Sequence, residues 1–213
     1  MAATVQSGAR SVARLLRAGE NEGYVMFDSQ CDLAALVYEA HEDPDGVLHA
    51  LATDLRGRGY RAVGLVQLGH HCVDAPTLTA KLVHSGEELQ IFQDLGACAK
   101  GCRLDVGRLL DAGVQIARAI DEGADLVVFN RFGRQELEGK GLLHLIERAL
   151  SADIPVVIAV PSHRFADWIK FANGMSVKLR CNRKALETWW KTVSARNATS
   201  SMRRHQTACE VLK

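Results

Sequence analysis

Asp125–Asn130 reads DLVVFN and Ile154–Val160 reads IPVVIAV, and between them Gly141–Leu150 carries its leucines at helical spacing. Short apolar runs without polar alternation mark strands buried on both faces, and a helix between two of them implies a parallel crossover. The alternation extends outward in both directions. Upstream, Leu33–Tyr38 (LAALVY) predicts a strand, and Asp45–Arg58 a helix with Val47, Leu48, Leu51 and Leu55 on one face. Tyr60–Leu68 (YRAVGLVQL) predicts the next strand, Val73–Ser85 a weaker strand or loop excursion, Leu89–Gln93 a third apolar segment and Asp105–Glu122 a long helix. Downstream, Arg164–Phe171 predicts a helix and Met175–Leu179 an edge strand. Such a chain is expected to be α/β: a three-layer sandwich with a mainly parallel sheet and helices on both faces.

The 213 residues are 47% hydrophobic and 24% charged, the profile of one globular domain with extensions. A net charge of +1 and 6% aromatic residues exclude a global electrostatic or stacking case for nucleic acid. No apolar run approaches the roughly 18 residues that span a bilayer, so no membrane partner is expected. Six unevenly spaced cysteines suit a reduced, cytoplasmic compartment better than a disulfide scaffold.

Three segments follow from the composition. Residues 1–23 form an amphipathic N-terminal extension, with Val5, Ala9, Val12 and Leu16 at helical spacing and no acid before Glu20. Residues 24–181 carry the α/β pattern. Residues 182–213 are a basic C-terminal tail, with seven Lys or Arg against Glu187 and Glu210, a short helix around Trp189 and Trp190, and a loose stretch over Ala195–Thr207. Either extension is expected to be where another protein would dock.

Open parallel sheets bind ligands outside the carboxyl ends of their strands, which directs attention to loops 39–46, 67–72, 93–103, 130–136 and 161–164. A triphosphate-binding loop after the first strand needs G-x-x-x-x-G-K-[ST]. The residues there are EAHEDPDG, with one glycine, no lysine and four acids. The strand over Asp125–Asn130 ends in Asn130-Arg131, an amide and a cation where nucleotide hydrolases place acids for Mg²⁺. Such a pair suits a bare anion, through a donor and a guanidinium fork. Arg131 has a purely structural alternative, pairing with Glu136 or an acid of loop 39–46.

Loop 93–103 adds Gly101, Cys102 and Arg103 just before a helix start capped by Asp105, a good anion seat. Cys98 and Cys102, with His70, His71 and Cys72 after the second strand, would make a soft metal site if the two loops meet. His163 is a further loop histidine with ligand or acid/base capability.

Gly64–Gln67, QDLGACAKGCRLD (Gln93–Asp105), DLVVFNRFGRQELEGKGL (Asp125–Leu142) and IPVVIAVPSHRFADWIKFANG (Ile154–Gly174) together resemble a bacterial family of unknown function. Its members are often encoded near molybdate-uptake or nitrogenase-related genes. The resemblance covers about residues 33 to 180. That family is in turn similar to the small P-loop nucleoside triphosphatases, whose corresponding strand ends in an acidic DEIG-type motif followed by a Glu-Leu pair. This chain has Asn130-Arg131-Phe132-Gly133, then Glu136-Leu137.

The resemblance implies a P-loop-NTPase-like sandwich, while the lysine and the acidic pair that hydrolysis requires are absent at these positions. The combined expectation is a non-hydrolysing accessory or regulatory protein binding a small oxyanion or phosphate-bearing ligand. Molybdate or a nucleotide is the ligand to expect, and Gly101, Cys102, Arg103, Asn130 and Arg131 are the contacts. A divergent nucleoside triphosphatase and a metal carrier or sensor are the alternatives.

Overall fold

The computed structural model describes residues 31–68, 79–91 and 104–211, with side chains to residue 198. Seven strands form one sheet in the order β4-β3-β2-β5-β6-β1-β7. They are β1 (Leu33–Tyr38), β2 (Ala62–Leu68), β3 (Thr79–Leu82), β4 (Glu88–Leu89), β5 (Leu126–Asn130), β6 (Val156–Pro161) and β7 (Val177–Arg180). The five strands β2, β5, β6, β1 and β7 run parallel, and only β3 and β4 are antiparallel additions at one edge. The expected sandwich with a mainly parallel sheet is thus what the chain forms. Within the excursion read over Val73–Ser85, Thr79–Leu82 forms β3, which lies between β2 and the edge strand β4.

Six helices flank the sheet among the described residues: α1 (Pro44–Gly57), α2 (Val106–Asp121), α3 (Arg134–Leu137), α4 (Leu143–Ser151), α5 (Phe165–Ala172) and α6 (Arg183–Val211). Leu48, Leu51 and Leu55 of α1 and Leu186, Trp189, Trp190 and Val193 of α6 pack with Leu36, Val128 and Val157 on one face. Leu109 and Ile116 of α2, Leu145 and Ile146 of α4 and Trp168 of α5 pack with Val127, Phe129 and Ile158 on the other. Both faces of β5 and β6 are therefore buried, which is why their sequences are apolar without alternation.

Residues 183–211 correct one expectation. Ala195–Thr207 is helical, continuous with the packed start of α6, and the boundary expected at 182 opens a helix that belongs to the core. The physical reason is an apolar stripe at i, i+3, i+4 and i+7 (Leu186, Trp189, Trp190, Val193), which buries two indoles despite the basic residues around it.

Gly64 fixes how closely β2 and β5 approach. Its φ is +134°, and a Cβ built there would lie 1.9 Å from the Val128 carbonyl oxygen, so only glycine fits this strand position. No helix among the described residues is long and apolar enough to cross a membrane.

Candidate functional site

β1 and β6 are neighbours whose following helices leave to opposite faces: α1 packs on one side of the sheet and α5 on the other. Divergence of two adjacent connections opens a crevice at the strand ends. A cleft of about 770 Å³ lies there, lined by Tyr38 and Glu39 from β1 and its loop, Arg131–Gly133 beyond β5, and Pro161–Arg164 beyond β6.

The wall from the first strand is built of acids that satisfy one another's backbone. The Glu39 N–H donates to Glu42 Oε2 at 2.7 Å, and the Ser162 hydroxyl donates to Glu39 Oε2 at 2.7 Å, tying the β1 and β6 loops together. Asp43 is the N-cap of α1, its carboxylate accepting the Gly46 N–H at 2.9 Å, with Pro44 at the first helical position. Asp45, in the same first turn, is 5% exposed. The amino end of α1 is therefore already supplied with negative charge by its own side chains.

Arg131 crosses to meet that charge. Its guanidinium lies 3.5 Å from the Asp45 carboxylate and stacks over the Tyr38 ring, 5.7 Å from the ring centroid. Burial pushes the Tyr38 phenol up, with Arg131 opposing and Asp45 adding to the rise. Of the two acids expected as structural partners for Arg131, the structure selects one in loop 39–46.

Glu136 does something else. Its Oε2 accepts the Gly133 N–H at 2.9 Å, and burial raises its pKa against the hydrogen bonds that lower it. The seat depends on Gly141, whose φ is +72° and where a Cβ would fall 2.3 Å from Glu136 Oε1. Between these anchors the Phe132 N–H donates to the Ala159 carbonyl, and the Phe132 ring packs edge-on against Trp168 at 5.2 Å.

Across the cleft, Ser162–Arg164 forms a single 3₁₀ turn that presents His163 and Arg164. Among the described residues Arg164 has no ion-pair partner, although its charge reaches Tyr38 and Glu136. The sequence points to this loop and His163 but not to Arg164, whose signal is only its place three residues after a buried strand. Tyr38, too, lay unremarked at the end of an apolar run.

Of the expected contacts, the structure brings Arg131 to the cleft and keeps Asn130 at the end of β5, 6% exposed, its Oδ1 accepting from Arg131 Nε at 3.3 Å. Gly101, Cys102 and Arg103 lie outside the described residues, as do Cys98, His70, His71 and Cys72. No cluster of three or more metal-ligating side chains occurs among the described residues.

A family model described as "Protein of unknown function (DUF2478)" matches residues 33–189. The molybdenum import ATP-binding protein ModC 2 of Bradyrhizobium diazoefficiens is 37% identical over 174 residues. The alignment takes in 77% of this chain but spans only 18% of that relative's length. THEP1 from Aquifex aeolicus superposes with a TM-score of 0.54 at 12% identity, covering 75% of this chain and 95% of the other. A human cancer-related nucleoside triphosphatase superposes with a TM-score of 0.55 at 11% identity, covering 79% and 98%. At such identities the likeness is one of fold, and it makes this sandwich P-loop-NTPase-like.

Proposed function

From the premise that the chain belongs to the DUF2478 family, we propose that it is a non-hydrolysing accessory or regulatory protein that binds a small oxyanion or phosphate-bearing ligand. The observation that carries this reading is the division of charge in the cleft. On one side stands Glu39 in the lining, backed at the start of α1 by Asp43 and by Asp45, which is already paired with Arg131. The other side offers Arg164, which forms no ion pair among the described residues, beside His163. A triphosphate wrapped by the first loop would meet carboxylates where it needs N–H groups and a lysine. A compact anion held from the β6 side would meet a guanidinium.

Asn130 and Arg131 belong to this proposal as contacts on the β5 side, and Gly101, Cys102 and Arg103 as contacts from loop 93–103. A place in molybdenum handling is the finer part. It draws on the name of the ModC 2 relative and on the match between a tetrahedral dianion and arginine donors. A second reading, nucleotide binding, is favoured by the fold shared with a nucleoside triphosphatase. The cysteine–histidine set of loops 67–72 and 93–103 is a separate metal-site proposal, tested by metal analysis of protein purified without an affinity tag.

The deciding experiment is thermal stability against molybdate, tungstate, sulfate, phosphate, ATP–Mg²⁺ and GTP–Mg²⁺. A ligand bound only by the folded protein stabilises it by about 2.7 kcal/mol at a hundredfold excess over Kd. A shift with molybdate or tungstate but not sulfate, lost in Arg164→Gln, is expected. A shift with nucleotides alone replaces the first reading by the second.

A further inference from the structure

A second cavity, of about 200 Å³, lies on the opposite side of Arg131 and Gly133 from the cleft, between the carboxyl ends of β2 and β5 and the helices α2 and α4. Its walls are apolar, with Leu65, Leu109, Phe129 and Ile146 contributing, and its polar groups include the amides of Gln67 and Asn130. Asn130 is the informative residue. It is 6% exposed, and its Nδ2 is buried with no hydrogen-bond partner among the described residues. Its orientation follows from its neighbour: Oδ1 accepts from Arg131 Nε, so the NH₂ group is the one left over.

A buried amide donor with nothing to donate to is costly to fold around, and native proteins keep such groups where something else completes them. An apolar cavity of about 150 Å³ stays dry and admits benzene. The present one is somewhat larger and adds an unsatisfied donor. It is smaller than the roughly 300 Å³ at which pockets for drug-sized ligands begin. A fragment of one or two fused rings is the size that fits. A charged ligand is disfavoured by the apolar walls, by the carboxyl of Glu136 in the lining, and by the engagement of the two lining arginines, Arg131 with Asp45 and Arg134 with Glu138.

We infer that this cavity is a binding pocket for an uncharged, planar heteroaromatic compound, a lactam or imide whose carbonyl accepts the Asn130 Nδ2 hydrogen. The inference does not rest on the anion reading of the cleft. The two readings share Asn130 and otherwise draw on different groups: aliphatic walls here, Arg164 and His163 there.

The test uses the full chain with labelled methyl groups and two probes, phthalimide and its hydrocarbon counterpart indene, at millimolar concentration. Phthalimide is expected to shift the methyl resonances of Leu65, Leu109 and Ile146 saturably and to bind about tenfold more tightly than indene. Asn130→Leu should abolish that preference. If that variant fails to fold, Leu143→Phe, which adds bulk to the cavity wall, should weaken phthalimide binding. No shift at these methyls, equal affinity for the two probes, or phthalimide binding unchanged in both folded variants overturns the pocket. Shifts confined to the surroundings of Arg164 would place the probe in the cleft and overturn it equally. A silent molybdate or phosphate titration bears on the anion reading alone.

Discussion

Arg131, the first residue after β5, and Asp45, in the first turn of α1, face one another at 3.5 Å across the strand ends, both largely withdrawn from solvent. The pair joins two loops that belong to different strands and sits on the edge of the cleft. In a P-loop-type sandwich this is where a helix amino terminus would meet a phosphate. Here the protein supplies its own anion, and an arginine answers it.

Removing one partner of a buried pair leaves the other charge unpaired, at a cost of about 3–5 kcal/mol. Asp45→Asn keeps size and some hydrogen bonding, so a loss toward the lower end of that range is expected by urea denaturation. The same change releases Arg131, and phosphate or molybdate affinity in the cleft should rise. A variant as stable as the parent would show that the pair contributes little to the fold.

Glu136 sets a pH dependence of known sign. Burial raises its pKa in the folded protein above the ordinary 4.5, so the native state holds this proton more tightly than the unfolded chain does. Its ionisation therefore subtracts stability as pH rises from the ordinary glutamate value through the raised one, and the loss is complete above it. Glu136→Gln retains an acceptor for the Gly133 N–H and cannot ionise. The stability of the variant relative to the parent is expected to improve progressively as pH rises above the ordinary glutamate value. Parallel denaturation curves with a constant offset over that range would contradict it.

Gly64→Ala tests the contact between β2 and β5. The substitution combines an unfavourable positive φ with a Cβ placed on the Val128 carbonyl, and a loss of about 3 kcal/mol or more is expected. Chemical denaturation of any soluble variant measures it.

Much of the sandwich is written in the order of its apolar runs. A strand covered on both faces cannot alternate, and LVVFN and VVIAVP declare themselves for that reason. β3 is weaker in the sequence because a four-residue antiparallel strand next to the sheet edge buries only alternate residues. In α6 the stripe from Leu186 to Val193 marks the helix around Trp189 and Trp190, but the polar Ala195–Thr207 carries no such stripe and reads as loose although the helix continues through it.

At the site, the strand-end rule found Asn130 and Arg131, but the partner of Arg131 was one acid among four in the loop. Which of them turns inward depends on the rotation of α1 fixed by Leu48, Leu51 and Leu55, information spread over the whole helix. The unpaired Nδ2 of Asn130 is invisible without coordinates, because it exists only through what surrounds it.

Cys181, just beyond β7, reports on the acids of the first loop. Burial, aided by Glu42, Asp43 and Asp45, pushes its thiol from 9.0 up to about 12. Thiolate is the reactive form, so alkylation by iodoacetamide at pH 8.5 is expected to be about a hundredfold slower than for an unperturbed cysteine. Peptide-resolved mass spectrometry gives the rate. Asp45→Asn should raise it, and a rate equal to that of a model thiol would show that the acids and burial do not act there.

Phosphate release from ATP–Mg²⁺ is expected to remain at the buffer baseline. From Glu39 to Gly57 there is no lysine, and the one arginine, Arg56, stands in the last turn of α1 rather than the first. Asp43 already occupies the Gly46 N–H, and Asp45 adds a second carboxylate beside it. At an effective dielectric of 20, one unit charge held 4 Å from another of the same sign costs about 4 kcal/mol, so the carboxylate of Asp43 at this helix end opposes a triphosphate even with Asp45 answered by Arg131. Mg²⁺ cannot relieve this without acids at the end of β5, where Asn130 and Arg131 stand. Saturable, Mg²⁺-dependent release would overturn the non-hydrolysing reading, and its survival in Arg164→Gln would show that the nucleotide is held without Arg164.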